Sequence, residues 1–130
     1  MRVLVLPMLL ATCAADETIS GYADPAAVYV VQSIDGTPFA AQATLSFPSE
    51  GRIAGRGPCN SYSGSQTAPY PWFAAGPLRS TKRACADLAQ EQAFFAALGR
   101  MTLSEVSGPV LILSNDDGGE IVLRAQDQEL

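Results

Sequence analysis

The chain has 130 residues, 48% of them apolar, with eight basic and thirteen acidic side chains, three cysteines and no histidine. That length suits about one small domain, with enough apolar side chains for a core. The net charge of −5 argues against generic binding to nucleic acid or to an anionic membrane face, and without histidine there is no imidazole base for an acyl-transfer triad.

The chain opens MRVLVLPMLLATCAAD. Arg2 supplies a positive start, and Val3 to Ala11 is apolar apart from the break at Pro7. At about 1.5 Å per residue this run is too short for a hydrocarbon core of roughly 30 Å. A charge, a short apolar stretch and then small residues describe a secretory signal over 1–13. Leu10-Ala11-Thr12-Cys13 resembles the bacterial lipobox, with Thr12 where glycine, alanine or serine is usual. The expectation is that Cys13 starts the mature chain and carries diacylglycerol; the alternative is ordinary cleavage after Ala14 or Ala15. Export removes Arg2, leaving seven basic against thirteen acidic residues, and places the domain in an oxidising space.

Residues 14–26 lack apolar periodicity and read as a flexible tether. VYVVQSI (28–34) is a β-branched strand ending at the turn pair Asp35-Gly36. Ala41, Ala43, Leu45 and Phe47 alternate with polar residues, the period of a half-buried strand. Pro48 to Gly51 turns the chain, and Arg52–Arg56 returns as the next strand. Residues 57–77, with four prolines and several serines, read as loop. Tyr70, Trp72 and Phe73 inside it cover one open end of the core or form a ligand-facing or partner-facing lip.

Asp87 opens a helix running to about Leu98, with Asp87 and Gln90 as a capping-box-like pair and Gly99 as the C-terminal cap. Leu88, Phe94, Phe95 and Leu98 make its apolar stripe, with Glu91 at the edge, and Phe95 and Leu98 are expected to dock on the sheet. Strands over 102–106, 110–113 and 121–124 follow, joined by turns at Ser107-Gly108 and at Asp116 to Gly119, as a β-meander. The aspartates of the second turn lack the ligand spacing of a calcium loop. The fold class is therefore mainly β (α+β), an antiparallel meander with one helix.

From Gly51 to Ala86 there is no acidic residue, whereas Arg52, Arg56, Arg79, Lys82 and Arg83 all lie there. The bland expectation is that folding intersperses these charges with acids from elsewhere. The sharper one is a surface for lipid phosphates or an acidic partner.

Chemistry-bearing patterns are otherwise thin. The mature domain offers two distant cysteines, short of a structural zinc set, and no phosphate-cradling glycine loop. The acids gather at the ends, in turns and on the helix. No catalytic residue, metal or cofactor is assigned, and enzymatic activity is not expected. In an exported domain the even pair Cys59 and Cys85 suggests a bridge rather than a reactive thiol. Its closed loop is worth roughly 3.5 kcal/mol on chain-entropy grounds.

The ordered features Ile53-Ala-Gly55, Cys59-Asn60-Ser-Tyr62-Ser-Gly64, Thr81-Lys-Arg-Ala-Cys85, and Glu91 with Phe94 and Leu98 resemble the META domain, also called the HslJ-like family of bacterial heat-shock lipoproteins. LILSNDDGGEIVLR resembles the family's closing hairpin, so the similarity spans about 27–125, leaving 126–130 as a C-terminal tail. Pro58 stands where the family has a glycine before Cys-Asn, and Tyr29-Val30 where it commonly has a tryptophan. The resemblance implies a small open antiparallel β-barrel with one helix packed across it. It marks Gly55, Asn60, Tyr62, Gly64 and Thr81 as structural motif residues. It also implies a lipid-anchored protein of the bacterial envelope, facing the periplasm from the outer rather than the inner membrane, and linked to heat shock and antibiotic tolerance. Two functions follow as expectations: a non-enzymatic lipoprotein making protein or peptide contacts, or a carrier of a hydrophobic or acyl ligand in the barrel with Trp72 and Phe73 at its mouth. Redox signalling through Cys59 and Cys85 ranks below both.

Overall fold

A computed structural model of the chain describes Val3 and residues 15–126. The rest of the signal, including Cys13, and the last four residues of the tail lie outside the described residues.

Among the described residues there are nine strands and one α-helix. The first hairpin joins β1 (Tyr29–Ile34) to β2 (Thr37–Pro38). Asp35 and Gly36 both have positive φ (51° and 79°), the geometry of a two-residue turn whose twist matches its strands. β3 (Thr44–Leu45) pairs with β1, and Ser46 bridges to Ala54 of β4 (Arg52–Arg56). β4, β5 (Ser61–Ser65) and β6 (Arg79–Ser80) form a three-stranded antiparallel sheet. The helix α1 (Leu88–Arg100) leads to the meander β7 (Leu103–Ser107), β8 (Val110–Ser114) and β9 (Glu120–Ala125), which closes against β1. The larger sheet thus runs β2-β1-β9-β8-β7, and β3 links it to the smaller one. The two sheets form an open β-structure: β6 and β7 do not pair. Residues 71–73 instead line the outer edge of β7, where the Phe73 N–H donates to Thr102 O (2.9 Å) and the Ser104 N–H to Pro71 O (2.7 Å).

Alternation along each strand builds the core. Tyr29, Val31, Leu45, Ile53, Tyr62, Leu111, Leu113, Ile121 and Leu123 are buried on the inner faces. Phe94, Ala97 and Leu98 of α1, at i, i+3 and i+4, are fully buried among them. Tyr29 sits edge-on to Phe47 with ring centroids 6.0 Å apart.

Several sequence expectations need correction. Residues 57–77 are not all loop, because Ser61–Ser65 pairs with β4 over its whole length. A serine-glycine strand carries no apolar alternation to announce it. The 14–26 segment is not a free tether from Asp16 onward. Ile19 and Ala23 join the core, Thr18 bridges to Pro69, and Tyr22 stacks on Tyr70 at 4.3 Å. Its local fold is pinned by Asp16, which accepts from the Thr18 N–H (2.9 Å) and from the hydroxyls of Thr18 and Ser20. Desolvation works to raise the Asp16 carboxyl, yet these bonds hold it below its ordinary value. At the helix, the Asp87 side chain makes no capping bond, and α1 continues through Gly99 to Arg100.

Phe94 is fully buried and Phe95 is only half-buried, so the two should separate in chemical denaturation. Phe94→Ala is expected to cost about 3–5 kcal/mol and Phe95→Ala clearly less. The reverse order would mean that the helix is rotated from the orientation described.

Candidate functional site

The sequence motif converges on one buried polar cluster. β4 ends at Arg56 and the chain turns through Gly57 to Asn60, with the Gly57 N–H donating to Asn60 O (2.7 Å). Two consecutive amides of this turn point at the helix: the N–H groups of Cys59 and Asn60 donate to Glu91 Oε1 at 3.1 and 2.7 Å. The Asn60 side-chain amide donates to Glu91 Oε2 (2.7 Å) and to Arg83 O (2.9 Å). Its Oδ1 accepts from the Thr81 hydroxyl (2.8 Å) and the Arg83 N–H (2.6 Å). Every hydrogen-bonding position of the Asn60 amide is therefore used. Aspartate there would lose both donors and set a second carboxylate against the first.

Glu91 is 2% exposed. It lies in the first turn of α1, where the helix dipole favours negative charge. A buried carboxylate is costly unless hydrogen-bonded, and here three donors converge on it. Gly57 is fitted to this arrangement, because a Cβ at that position would lie 2.4 Å from Glu91 Oε1. Beside the cluster, Cys59 and Cys85 form a disulfide with Cα atoms 5.6 Å apart, inside the range such a bond requires. The hydrogen bonds and the disulfide thus tie the same three segments together: the turn after β4, the strap 81–85 and the start of α1.

The other motif residues support this corner. Gly55 pairs with Tyr62 across the β4–β5 ladder, and Gly64 pairs with Ile53. The Tyr62 hydroxyl donates to Thr44 O (2.6 Å), and its ring packs edge-on to Phe94 and Phe95 at 5.8 and 5.2 Å. Burial pushes its phenol pKa upward. Lys82, Leu88, Gln92 and Phe95, together with Asn60, Thr81 and Glu91 of the cluster, border a surface cleft of about 330 Å³.

Tyr70, Trp72 and Phe73 do not act as one lip. Phe73 is in the core, Tyr70 is half-buried and accepts from the Val106 N–H (3.1 Å), and Trp72 is 58% exposed. Glu91 and Gln66 are the structural residues that sequence reasoning undervalued. Gln66 is buried and organises its loop by accepting from the N–H groups of Ala68 (3.1 Å) and Ala74 (3.0 Å). The signal for Glu91 was its place among Leu88, Phe94 and Phe95 on one helix stripe. Gln66 had no such signal.

The bonds of the cluster are made within the protein. The Glu91 oxygens are occupied by protein donors, and both sulfurs are spent in the disulfide. Among the described residues, no group of three His, Cys, Asp or Glu side chains is placed to hold a metal ion.

Glu91→Ala would strand two backbone N–H groups and the Asn60 amide, and should destabilise the domain by at least about 3 kcal/mol. Glu91→Gln keeps one acceptor oxygen and should cost less, a ranking readable in denaturant melts of the oxidised protein. If Glu91→Ala matched wild type, the cluster would not hold the fold.

Three solved structures resemble this fold. An NMR structure of a protein from Burkholderia xenovorans is 22% identical, with a TM-score of 0.64 over 85% of this chain and 88% of that one. A second NMR structure is 19% identical, with a TM-score of 0.59 over 77% and 89%. A crystal structure of a DUF4847 family protein from Bacteroides vulgatus is 17% identical, with a TM-score of 0.52 over 67% and 61%. No curated protein matches the chain. The sequence model of the META domain matches residues 25–128, a span containing the Cys59–Cys85 disulfide, Asn60 and Glu91. The chain belongs to the META domain family.

Proposed function

We propose that this META domain is a non-enzymatic, lipid-anchored component of the bacterial envelope that faces the periplasm and acts through protein or peptide contacts, contributing to stress or antibiotic tolerance. The observation that carries the reading is the filled interior. Tyr29, Phe47, Phe94, Leu98, Leu111 and Leu123 interdigitate at 0–1% exposure. Among the described residues no buried side-chain polar atom lacks a partner. A carrier of acyl chains needs a concave apolar cavity, so a packed core supports surface contact over carriage.

The surface supports the same reading. Trp72 and Tyr22 are more than half exposed, and Tyr22 stacks on Tyr70, which holds its ring in place. Exposed aromatics of limited freedom are frequent anchors of protein interfaces. The disulfide fits an oxidising compartment.

A photo-crosslinker at position 72, activated in intact cells, tests contact and anchoring together when the protein is recovered from membranes and weighed. Discrete adducts with one or a few envelope proteins, and diacylglycerol on Cys13, are expected. A chain without acyl group that forms no adduct at position 72 would overturn the proposal.

A further inference from the structure

The β4–β5–β6 sheet has an outer face, and its composition is unusual for an acidic protein. Residues paired across a ladder project to the same side of the sheet. Ile53, Tyr62 and Gly64 are buried on the inner side, so Arg52, Ala54, Arg56, Ser61, Ser63, Ser65 and Arg79 project outward. The registers pair every arginine with a serine: Arg52 with Ser65, Arg56 with Ser61, and Arg79 with Ser63. All three arginines are exposed. Among the described residues the one ion pair is Arg100 with Asp35 at 3.6 Å, so none of the three arginines of this face is ion-paired there.

From this face we infer a second function for the domain: docking onto a phosphate-bearing lipid leaflet, with Arg52, Arg56 and Arg79 as the headgroup contacts. Guanidinium forks match phosphate oxygens in pairs, and neighbouring hydroxyls add donors. The spacing selects a surface over a single ion. Arg52 and Arg56 lie about 13 Å apart along β4, and Arg79 lies two strands away, about 10 Å across the sheet. A triangle of that size is too wide for one phosphate and suits a plane of many.

The path of the chain points the same way. Ala15 borders a surface cleft with Glu50 and Thr67, next to the turn that opens β4. Cys13 precedes Ala15 by two residues in the sequence. An acyl group there would bring the Arg52–Ser65 end of the sheet to the bilayer. Glu17 and Glu50 stand at this edge and oppose the attraction locally, while Arg56 and Arg79 lie further along the face. The net negative charge then works as an orienting force: other faces are repelled from the leaflet and this one is drawn to it. The inference rests on the envelope reading for its biological setting, though vesicle binding is measurable without it.

The test uses the full chain carrying Cys13→Ser, so that no acyl group contributes. Binding to phosphatidylcholine vesicles is compared with binding to vesicles that also contain phosphatidylglycerol. The neutral vesicles account for the apolar signal. Each arginine near an anionic surface is worth about a fivefold gain, so three arginines opposed by Glu17 and Glu50 should leave an anionic preference of at least about fivefold. It should fall steeply with salt and approach unity in the Arg52→Gln, Arg56→Gln, Arg79→Gln variant. Circular dichroism and thiol titration check that the variant is folded and oxidised. Should it fail to fold, the single replacements are read in the same way. Equal binding to both vesicle types would overturn the inference. So would an anionic preference that survives the triple replacement, displacement by inorganic phosphate at constant ionic strength, or a preference for polyglutamate over the vesicles. Absence of lipid on Cys13 in the native protein would remove the anchor and leave the vesicle result standing, so the two failures are distinguishable.

Discussion

The carboxylate of Glu91 is enclosed where a helix start, a hairpin turn and an irregular strap meet, and all three depend on it. The amides of Cys59 and Asn60 lie in a turn with no strand ladder to receive them, and Glu91 Oε1 is their acceptor. The strap 81–85 is held through Asn60, which bonds Thr81 and both backbone groups of Arg83. Desolvating a carboxylate costs several kcal/mol unless donors replace the lost water, and unpaired donors cost about 1–3 kcal/mol each. Neither side of the cluster is stable alone in the interior, so they specify one arrangement together. The Cys59–Cys85 bond closes the same corner covalently. Hydrogen bonds set its geometry, and the crosslink limits how far the unfolded chain can stray from it.

Such a corner explains how an open β-structure stays ordered. β6 has two residues and pairs only with β5, which makes it the weakest element of the smaller sheet. It runs directly into the strap, and the strap is fixed through Asn60 and Cys85 to the turn and the helix. The opposite side of the opening is covered by residues 71–73 on the edge of β7, with buried Gln66 shaping the loop that delivers them. The interior is then free to fill with side chains, and recognition moves to the outside. Two surfaces stand out there: the aromatic group around Trp72 and Tyr22, and the arginine-serine face of the smaller sheet. Both sit on backbone that the packed interior and the polar corner keep rigid.

Much of the strand order was legible because local chemistry and tertiary context agreed. Asp35-Gly36 takes the positive-φ turn that its residues favour. Leu45 and Phe47 point inward as their alternation requires, although only Thr44–Leu45 forms a ladder with β1. The three C-terminal strands match to within a residue or two. What stayed illegible depended on partners remote in sequence. β5 reads as a serine-rich loop until β4 lies beside it. Glu91 reads as the edge of a helix stripe because its donors come from about thirty residues upstream. Ile19 reads as part of a tether because one apolar residue among polar neighbours carries no period. Gly99 reads as a cap, but the helix has no left-handed residue there and needs none to continue to Arg100.

Native-state hydrogen exchange tests the central claim most directly. The amides of Cys59 and Asn60 lie outside every helix and strand, so their protection depends on Glu91 rather than on a ladder. In the oxidised protein both should exchange as slowly as the core-strand amides of Leu111 and Leu123, through unfolding of the whole domain. Exchange at the rate of an exposed turn such as Asp116 to Gly119, with the core strands still protected, would contradict the account. It would show that the corner opens without the fold and that the fold does not depend on it.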